Sequence, residues 1–271
     1  MTDIILAGLT AIFVLVLLAT EALGATIARR IGKGVTERKV ERDRTVHVLT
    51  STFGLLALLI GFSFSIVLDR YDTRRADVIA EANAISTAHY RAGFVLPEGR
   101  DLQRSLETYA AARVVYGRAG EREREALEVE AARLRSAIAV ASHGIDARAN
   151  SPLGALVVAG VTDVLDLGVE REANLQAKLP WTVFMVLVGL SLLGAASMGF
   201  AYPIGGALRT GSSLSLFVLL AVTIIVIVDL DRPEGGGVMI DQGPMLQVAA
   251  EIGSGAPDGG PAPVPAPQDA R

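Results

Sequence analysis

Four long apolar runs constrain the fold of this chain more than any other feature. They occupy residues 4–28, 46–68, 181–202 and 211–229. A helix needs about 20 predominantly apolar residues to cross the hydrocarbon core of a bilayer, and each run is close to or above that length. With 51% hydrophobic residues, the composition excludes an ordinary soluble domain. The sequence therefore predicts an all-α membrane protein with four transmembrane helices.

The first run is predicted to be an uncleaved anchor. A secretory signal peptide begins with positive charge, whereas residues 1–3 carry none, and the basic residues follow the run in the predicted loop 29–45. Because short loops rich in Lys and Arg stay in the cytoplasm, this loop is placed inside, and the later polar segments outside. Arginines near the opposite membrane face, among them Arg171 and Arg232, weaken this orientation.

The segment between spans two and three, residues 69–178, is predicted to be a helical extramembrane insert. Nothing breaks the helix of span two until Gly93 and Pro97. Two apolar stripes of helical spacing then flank a glycine-containing turn at 117–120, and this predicts an antiparallel helical hairpin. The stripes are Leu102, Leu106, Tyr109 and Tyr116, then Leu127, Ala131, Leu134, Ile138 and Ala141.

The C-terminal tail divides into two parts. Residues 230–252 are predicted to be ordered, and the Pro-, Gly- and Ala-rich residues 253–271 to be disordered. If all four runs cross the membrane, the insert and the tail lie on the same side. The ends of spans two and four then emerge into the same compartment.

Spans two and four both end in Leu-Asp-Arg, at residues 68–70 and 230–232. One interpretation is that charges simply mark the headgroup level, where Arg side chains extend toward water. However, Asp229 and Asp231 fall in a last helical turn, where the helix dipole disfavours an anion by about 0.3–1 kcal/mol. Nearby cations would offset that cost. We predict a boundary charge cluster of Asp69, Arg70, Arg74, Arg75, Asp229, Asp231 and Arg232.

One face of span two carries small or hydroxyl side chains. Small residues let helices approach closely in lipid, so this stripe is either a packing groove for another span or the lining of a pore in an oligomer. The stripe is Thr50, Gly54, Ala57, Gly61 and Ser65.

Glu21 also lies within a span. It is either a proton or ion site or, as we prefer, a boundary residue near the cytoplasmic headgroups.

Two segments carry a family resemblance: GFSFSIVLDRYDTRRADVIAEANAISTAHYRAGFVLP at 61–97 and DLDRPEGGGVMI at 229–240. Together with later positions they resemble the bacterial bestrophin-like domain family, four-span membrane proteins of unknown function, over roughly residues 4–250. Three glycines follow Asp-Arg-Pro-Glu here, where the family typically has one. The matching positions are Asp69, Arg70, Arg75, Glu81, Asn83, Tyr109, Arg113, Asp231, Arg232 and Pro233.

The resemblance implies kinship to anion channels, a bacterial inner membrane location and a homo-oligomer. Four of the matching positions, Glu81, Asn83, Tyr109 and Arg113, are predicted to make polar contacts within the helical insert. Asn83 shares a helix face with Ile79, Ser86 and Tyr90, and we predict that this face is buried.

The sequence shows no signature of an enzyme. It has no cysteine, and its three histidines lack the spacing of metal ligands, so no catalytic, metal or cofactor site is predicted. The net charge of −4 without a basic soluble patch argues against nucleic-acid binding. Two hypotheses follow: an oligomeric ion-permeation protein, or a membrane-anchored helical sensor or scaffold. The predicted partners are the lipid bilayer, further copies of the chain and inorganic ions.

Overall fold

The computed structural model describes residues 2–31, 35–146, 152–202, 207–232 and 239–253. All regular elements in these ranges are α-helices, in agreement with the predicted all-α class. In chain order they are α1 (Thr2–Arg30), α2 (Val35–Gly93), α3 (Arg100–Arg118), α4 (Glu121–Asp146), α5 (Pro152–Gln176), α6 (Trp181–Ala201), α7 (Ala207–Asp231) and α8 (Gly243–Gly253).

Four helical stretches within the described ranges have the length and composition to cross a membrane. Each overlaps one of the four predicted apolar runs. The stretches are Leu6–Arg30, Asp43–Gly93, Pro152–Ala201 and Gly211–Asp231.

Helix α2 is 59 residues long and continues well beyond the second apolar run. It ends at Gly93, where the sequence predicted a break. It also begins at Val35, so most of the segment 29–45 is helical rather than the predicted loop. The reason is local: from Val35 onward this segment contains neither Gly nor Pro and is rich in Glu, Arg and Lys, which favour helix.

The chain forms two compact units, each with its own core. The first, here called the span unit, comprises Met1–Arg75 and Ala173–Ile240. Its core is made of apolar side chains from α1, α2, α6 and α7, and α1 packs on both α6 and α7. The fully buried core residues include Leu17, Leu56, Leu187, Phe217 and Ala221.

Backbone contact between α1 and α6 is unusually close in the span unit. A Cβ atom built on Gly24 would collide with the carbonyl oxygen of Ala196, and one built on Gly199 would collide with that of Glu21. Two glycines therefore allow the two helices to pack backbone against backbone, as small residues do between membrane helices.

The second unit, here called the insert unit, comprises Ala76–Glu172 and Asp241–Arg271. Helices α3 and α4 pack together across a two-residue connection, and α8 packs on α3. Both predicted stripes face this core: the four α3 positions are fully buried, and the five α4 positions are buried or half-buried. Most of the tail predicted to be disordered, residues 254–271, lies outside the described residues, as do Pro233 and the three glycines at 235–237.

Candidate functional site

The predicted boundary charge cluster centres on Asp231, in the span unit. Its Oδ1 atom lies 3.3 Å from Nη1 of Arg70. Both carboxylate oxygens accept the backbone N–H of Leu179 at 2.9 Å, immediately before the N-cap residue of α6, Pro180. An anion at a helix N-terminus interacts favourably with the helix dipole. One carboxylate at the end of α7 therefore binds both α2 and the start of α6.

Arg74 joins two helix C-termini in the same unit. Its side chain is 2% exposed. The guanidinium donates to the carbonyl oxygens of Asn174 at 3.2 Å, Ala177 at 2.7 Å and Asp231 at 3.3 Å. The last carbonyls of a helix lack partners within that helix, and a cation there is also favoured by the dipole. Arg74 thus closes the ends of α5 and α7 with one charged group.

Arg70, Arg74 and Asp231, which belong to the predicted cluster, meet in the structure through these contacts. Three others, Asp69, Arg75 and Arg232, are exposed, and Asp229 is buried on α7. The charged side chains could be predicted from the sequence, but their backbone partners could not, since any residue can supply a carbonyl or an amide.

We expect Arg74→Ala to lower the free energy of unfolding by about 3 kcal/mol, the upper end of the cost of leaving buried polar groups unpaired. Arg75→Ala is the matched control, because the neighbouring arginine is exposed and such substitutions usually change stability by less than about 0.5 kcal/mol. Denaturant unfolding of both variants in detergent measures the difference. Equal losses would show that the carbonyl contacts of Arg74 contribute nothing.

All five residues of the α2 stripe are exposed. No atom of the described residues beyond the helix itself lies within 4 Å of a Cβ built on Gly54 or Gly61. The buried face of this part of α2 is a different one, which includes Leu56, Ser63 and Val67. The stripe is therefore not a packing groove for another described span of the same chain, and its lining of a pore stays a prediction.

Glu21 is buried within the span unit, and its place near the cytoplasmic headgroups stays a prediction. It is 8% exposed, and its Oε1 atom accepts a hydrogen bond of 3.0 Å from the buried hydroxyl of Ser213. The contact between Gly199 and the Glu21 backbone holds α6 against the same turn of α1. The sequence did not predict this polar contact between α1 and α7.

The insert unit contains a second charge cluster, centred on Glu81 of α2, which is fully buried. The Tyr109 hydroxyl donates to Oε1 at 2.7 Å. Arg113 places Nε 2.8 Å from Oε1 and donates from Nη2 to Oε2 at 3.1 Å. Arg171 of α5 donates from Nη1 to Oε2 at 2.6 Å. One carboxylate is thus enclosed by two guanidinium groups and a phenol from α3 and α5.

A second layer of groups supports Arg113. Glu172 lies 3.5 Å from its Nη1 atom and forms two short hydrogen bonds, of 2.6 and 2.9 Å, with Arg135 of α4. The Arg113 guanidinium carbon lies 4.5 Å from the ring centroid of Tyr116, within the range of a cation–π interaction. Glu81, Glu172 and the Tyr116 ring thus surround a buried arginine, while its Nε and Nη1 atoms form ion pairs without a well-aligned hydrogen bond.

Gly168 of α5 makes room for this cluster. A Cβ at that position would lie 2.6 Å from the Tyr109 hydroxyl oxygen and 3.5 Å from Oε1 of Glu81. Any larger residue would displace the phenol from its carboxylate partner.

Burial and charge act in opposite directions on the pKa of Glu81. Burial alone would raise the pKa, but Arg113 and Arg171, together with the hydrogen bond from Tyr109, hold it below its ordinary value. Burial and the neighbouring Glu81 raise the pKa of Tyr109. Burial also raises the pKa of Tyr116, to about 12. The cluster therefore keeps a charged carboxylate and neutral phenols over a wide pH range.

A family model, the Bestrophin-like domain, matches residues 6–245. The chain belongs to the Bestrophin-like family. Its fold is similar to that in crystal structures of a bacterial bestrophin homologue from Klebsiella pneumoniae. One, of a point mutant, is 14% identical with a TM-score of 0.60, and covers 87% of this chain and 94% of that one. Another is 15% identical with a TM-score of 0.58, and covers 87% of this chain and 94% of that one. No curated protein matches the chain significantly.

Asn83 is the one predicted polar contact that the structure of this Bestrophin-like chain contradicts. It is exposed, and Ile79 and Tyr90 on the same face are 40% and 69% exposed. Burial of this face was predicted from the helical spacing of Asn83 with Ile79, Ser86 and Tyr90. The buried face is the one with Glu81 and small alanines, because α5 approaches so closely that Gly160 lies beside Ala88.

Arg135, Arg171 and Glu172 are cluster residues that the sequence analysis did not find. The sequence does contain a pattern from which Arg171 could have been predicted. On α5 it continues an apolar stripe at spacings of four and three, just as Arg113 does on α3. The α5 stripe is Val157, Val161, Val164, Gly168 and Arg171, all buried.

We expect the Bestrophin-like chain to lose stability above pH 10 partly through Tyr109. Its ordinary pKa is 10.0 and its folded pKa is higher, so above pH 10 the unfolded chain loses this proton while the folded chain keeps it. The contribution of Tyr109 to the free energy of unfolding is fully present below its ordinary pKa. It falls as pH rises past that value, by up to about 1.4 kcal/mol per pH unit.

Tyr109→Phe removes this titration, so its melting temperature should fall less steeply between pH 9.5 and 11.5 than that of the native chain. Tyr90→Phe is the control, because Tyr90 is exposed and should leave the slope unchanged. Identical slopes for all three proteins would contradict the assignment.

Proposed function

We propose that this chain is the subunit of an oligomeric ion-permeation protein in which the exposed stripe of α2 faces the ion path. The observation that carries the proposal is the two-sided character of α2 in the span unit. One side, with Leu56 and Val67, is buried in the core. The other, from Thr50 to Ser65, is exposed and carries small and hydroxyl side chains, which suit a second helix or water better than lipid.

Membership of the Bestrophin-like family supports this proposal, since the resemblance to that family implies kinship to anion channels. The charges beside the stripe do not favour anions. Asp69 and Asp72 are exposed next to Arg75, and acidic rings favour cations whereas basic rings favour anions. We therefore propose ion permeation without a strong anion preference, and a role that is not enzymatic.

Planar-bilayer recording of the purified protein tests permeation, and reversal potentials under ion substitution give the selectivity. The chain has no cysteine, so single cysteines can be placed freely. A charged thiol reagent should change the current of Ala57→Cys. It should not change that of Leu55→Cys, which is 58% exposed in the structure but outside the stripe. Equal effects at both positions would show that the stripe does not line the ion path.

The second candidate function is a membrane-anchored helical sensor or scaffold without transport activity. The observation that favours it is the Glu81 cluster, since the most extensive network of buried charges in the described residues belongs to the insert unit. A well-folded oligomer that carries no current under any ion gradient would support this function and exclude permeation.

We also propose a homo-oligomer in the bacterial inner membrane, with the insert and C-terminus outside the cytoplasm. The basic residues of 29–45 support this orientation through the positive-inside rule. A membrane-impermeant maleimide applied to intact cells (with the outer membrane permeabilised) should label Thr87→Cys but not Asp43→Cys, two exposed positions. The reverse pattern would invert the orientation.

A further inference from the structure

The C-terminal helix α8 is a short element of the insert unit. It has 11 residues and packs on α3. Its buried apolar side chains are Met245, Val248 and Ile252, spaced as on one face of a helix, while Gln247 is exposed. Isolated helices of this length are marginal in water, so α8 depends on this one face for its order.

Gln242, just before α8, connects this helix to the Glu81 cluster. Its Oε1 atom accepts a hydrogen bond of 2.9 Å from Nη2 of Arg171, whose Nη1 atom donates to Glu81. Gly117 of α3 leaves the space that the Gln242 side chain occupies, because a Cβ at that glycine would collide with Oε1 of Gln242. Any other residue at position 117 would push the glutamine away from Arg171.

We propose that α8 is a strap that leaves α3 while the rest of the insert unit stays folded, and that Gln242 is the latch that holds it. Segments with few buried apolar contacts open at the low end of a protein's range of local stabilities. The ordering of 11 residues opposes docking, and three apolar side chains and the latch favour it. When the latch opens, Arg171 keeps its ion pair with Glu81, so opening leaves the cluster intact.

This inference does not depend on ion permeation, and hydrogen exchange of the full-length protein in detergent tests it. In the native chain, amides of α8 should exchange at least about 100-fold faster than those of α3. Gln242→Ala should speed exchange in α8 by a further 5-fold or more without changing α3. The matched control is Gln247→Ala, at the exposed glutamine of the same helix, which should change neither.

Gly117→Ala gives an independent test from the opposite side of the latch. It should speed α8 exchange as Gln242→Ala does, whereas Gly120→Ala, where nothing lies within 4 Å of the added Cβ, should not. The proposal is overturned if α8 and α3 exchange at one common rate, because α8 then opens only with the whole unit. It is also overturned if Gln242→Ala and Gln247→Ala behave alike.

Discussion

Glu81→Gln is expected to lower the free energy of unfolding by about 3–5 kcal/mol, the range for breaking a buried ion pair from one side. The substitution leaves Arg113 and Arg171 with their charges in the interior of the insert unit, and both are almost fully buried. Glutamine has nearly the same shape as glutamate but no charge, so the loss reports on the missing anion rather than on a cavity.

Denaturant unfolding of the purified protein in detergent measures this loss. Asn83→Ala is the matched control on the same helix, because Asn83 is exposed and should change stability by less than about 0.5 kcal/mol. A loss below about 1 kcal/mol for Glu81→Gln would mean that the two arginines find other partners.

The effect of Glu81→Gln should also depend on pH in a defined direction. Because the folded pKa of Glu81 is lower than its ordinary value of 4.5, the stability that its charge contributes is present above pH 4.5 and is lost as pH falls toward the folded pKa. The native chain and the variant should therefore differ most near neutral pH and converge in acid.

Gly199→Ala is expected to cost about 3 kcal/mol, at the upper end of overpacking effects. The added methyl group would collide with the carbonyl oxygen of Glu21. Backbone cannot rotate away as a flexible side chain can, so α1 and α6 must separate. Gly24→Ala, whose Cβ would meet the carbonyl of Ala196, should have a similar effect from the α1 side.

Two other glycines of the same helices are controls. Gly189 of α6 and Gly8 of α1 have nothing within 4 Å of an added Cβ, so Gly189→Ala and Gly8→Ala should preserve or slightly raise stability through helix propensity. The chain has one tryptophan, Trp181 of α6, and its fluorescence can follow the unfolding of the span unit. If all four variants melt alike, the close backbone contact does not exist in the membrane protein.

The predictions that succeeded rest on patterns within one helix. A helix that faces lipid must be long and apolar, so the four spans could be found from composition alone. The burial of Leu102 and Tyr109 follows from the 3.6-residue period, which fixes which side chains share a face.

The predictions that failed depended on which helix lies opposite. The helical spacing around Asn83 suggested burial, but close approach of α5 favoured the alanine face of α2 instead. The close contacts at Gly24 and Gly117 depend on the positions of backbone and side-chain atoms in distant segments, and no local sequence pattern determines those positions. Arg171 is an intermediate case. Its position on an apolar stripe can be read from the sequence, but its partner Glu81 cannot.

The contacts of Arg74 have a consequence for how this chain can vary. Its three acceptors are main-chain carbonyls at positions 174, 177 and 231, and every amino acid offers the same oxygen there. Substitution of Ala177 leaves its acceptor oxygen in place, whereas position 74 requires a side chain with several N–H donors in a planar fork. These three hydrogen bonds between two helix ends therefore depend on the identity of residue 74 and not on the side chains of the residues that accept them.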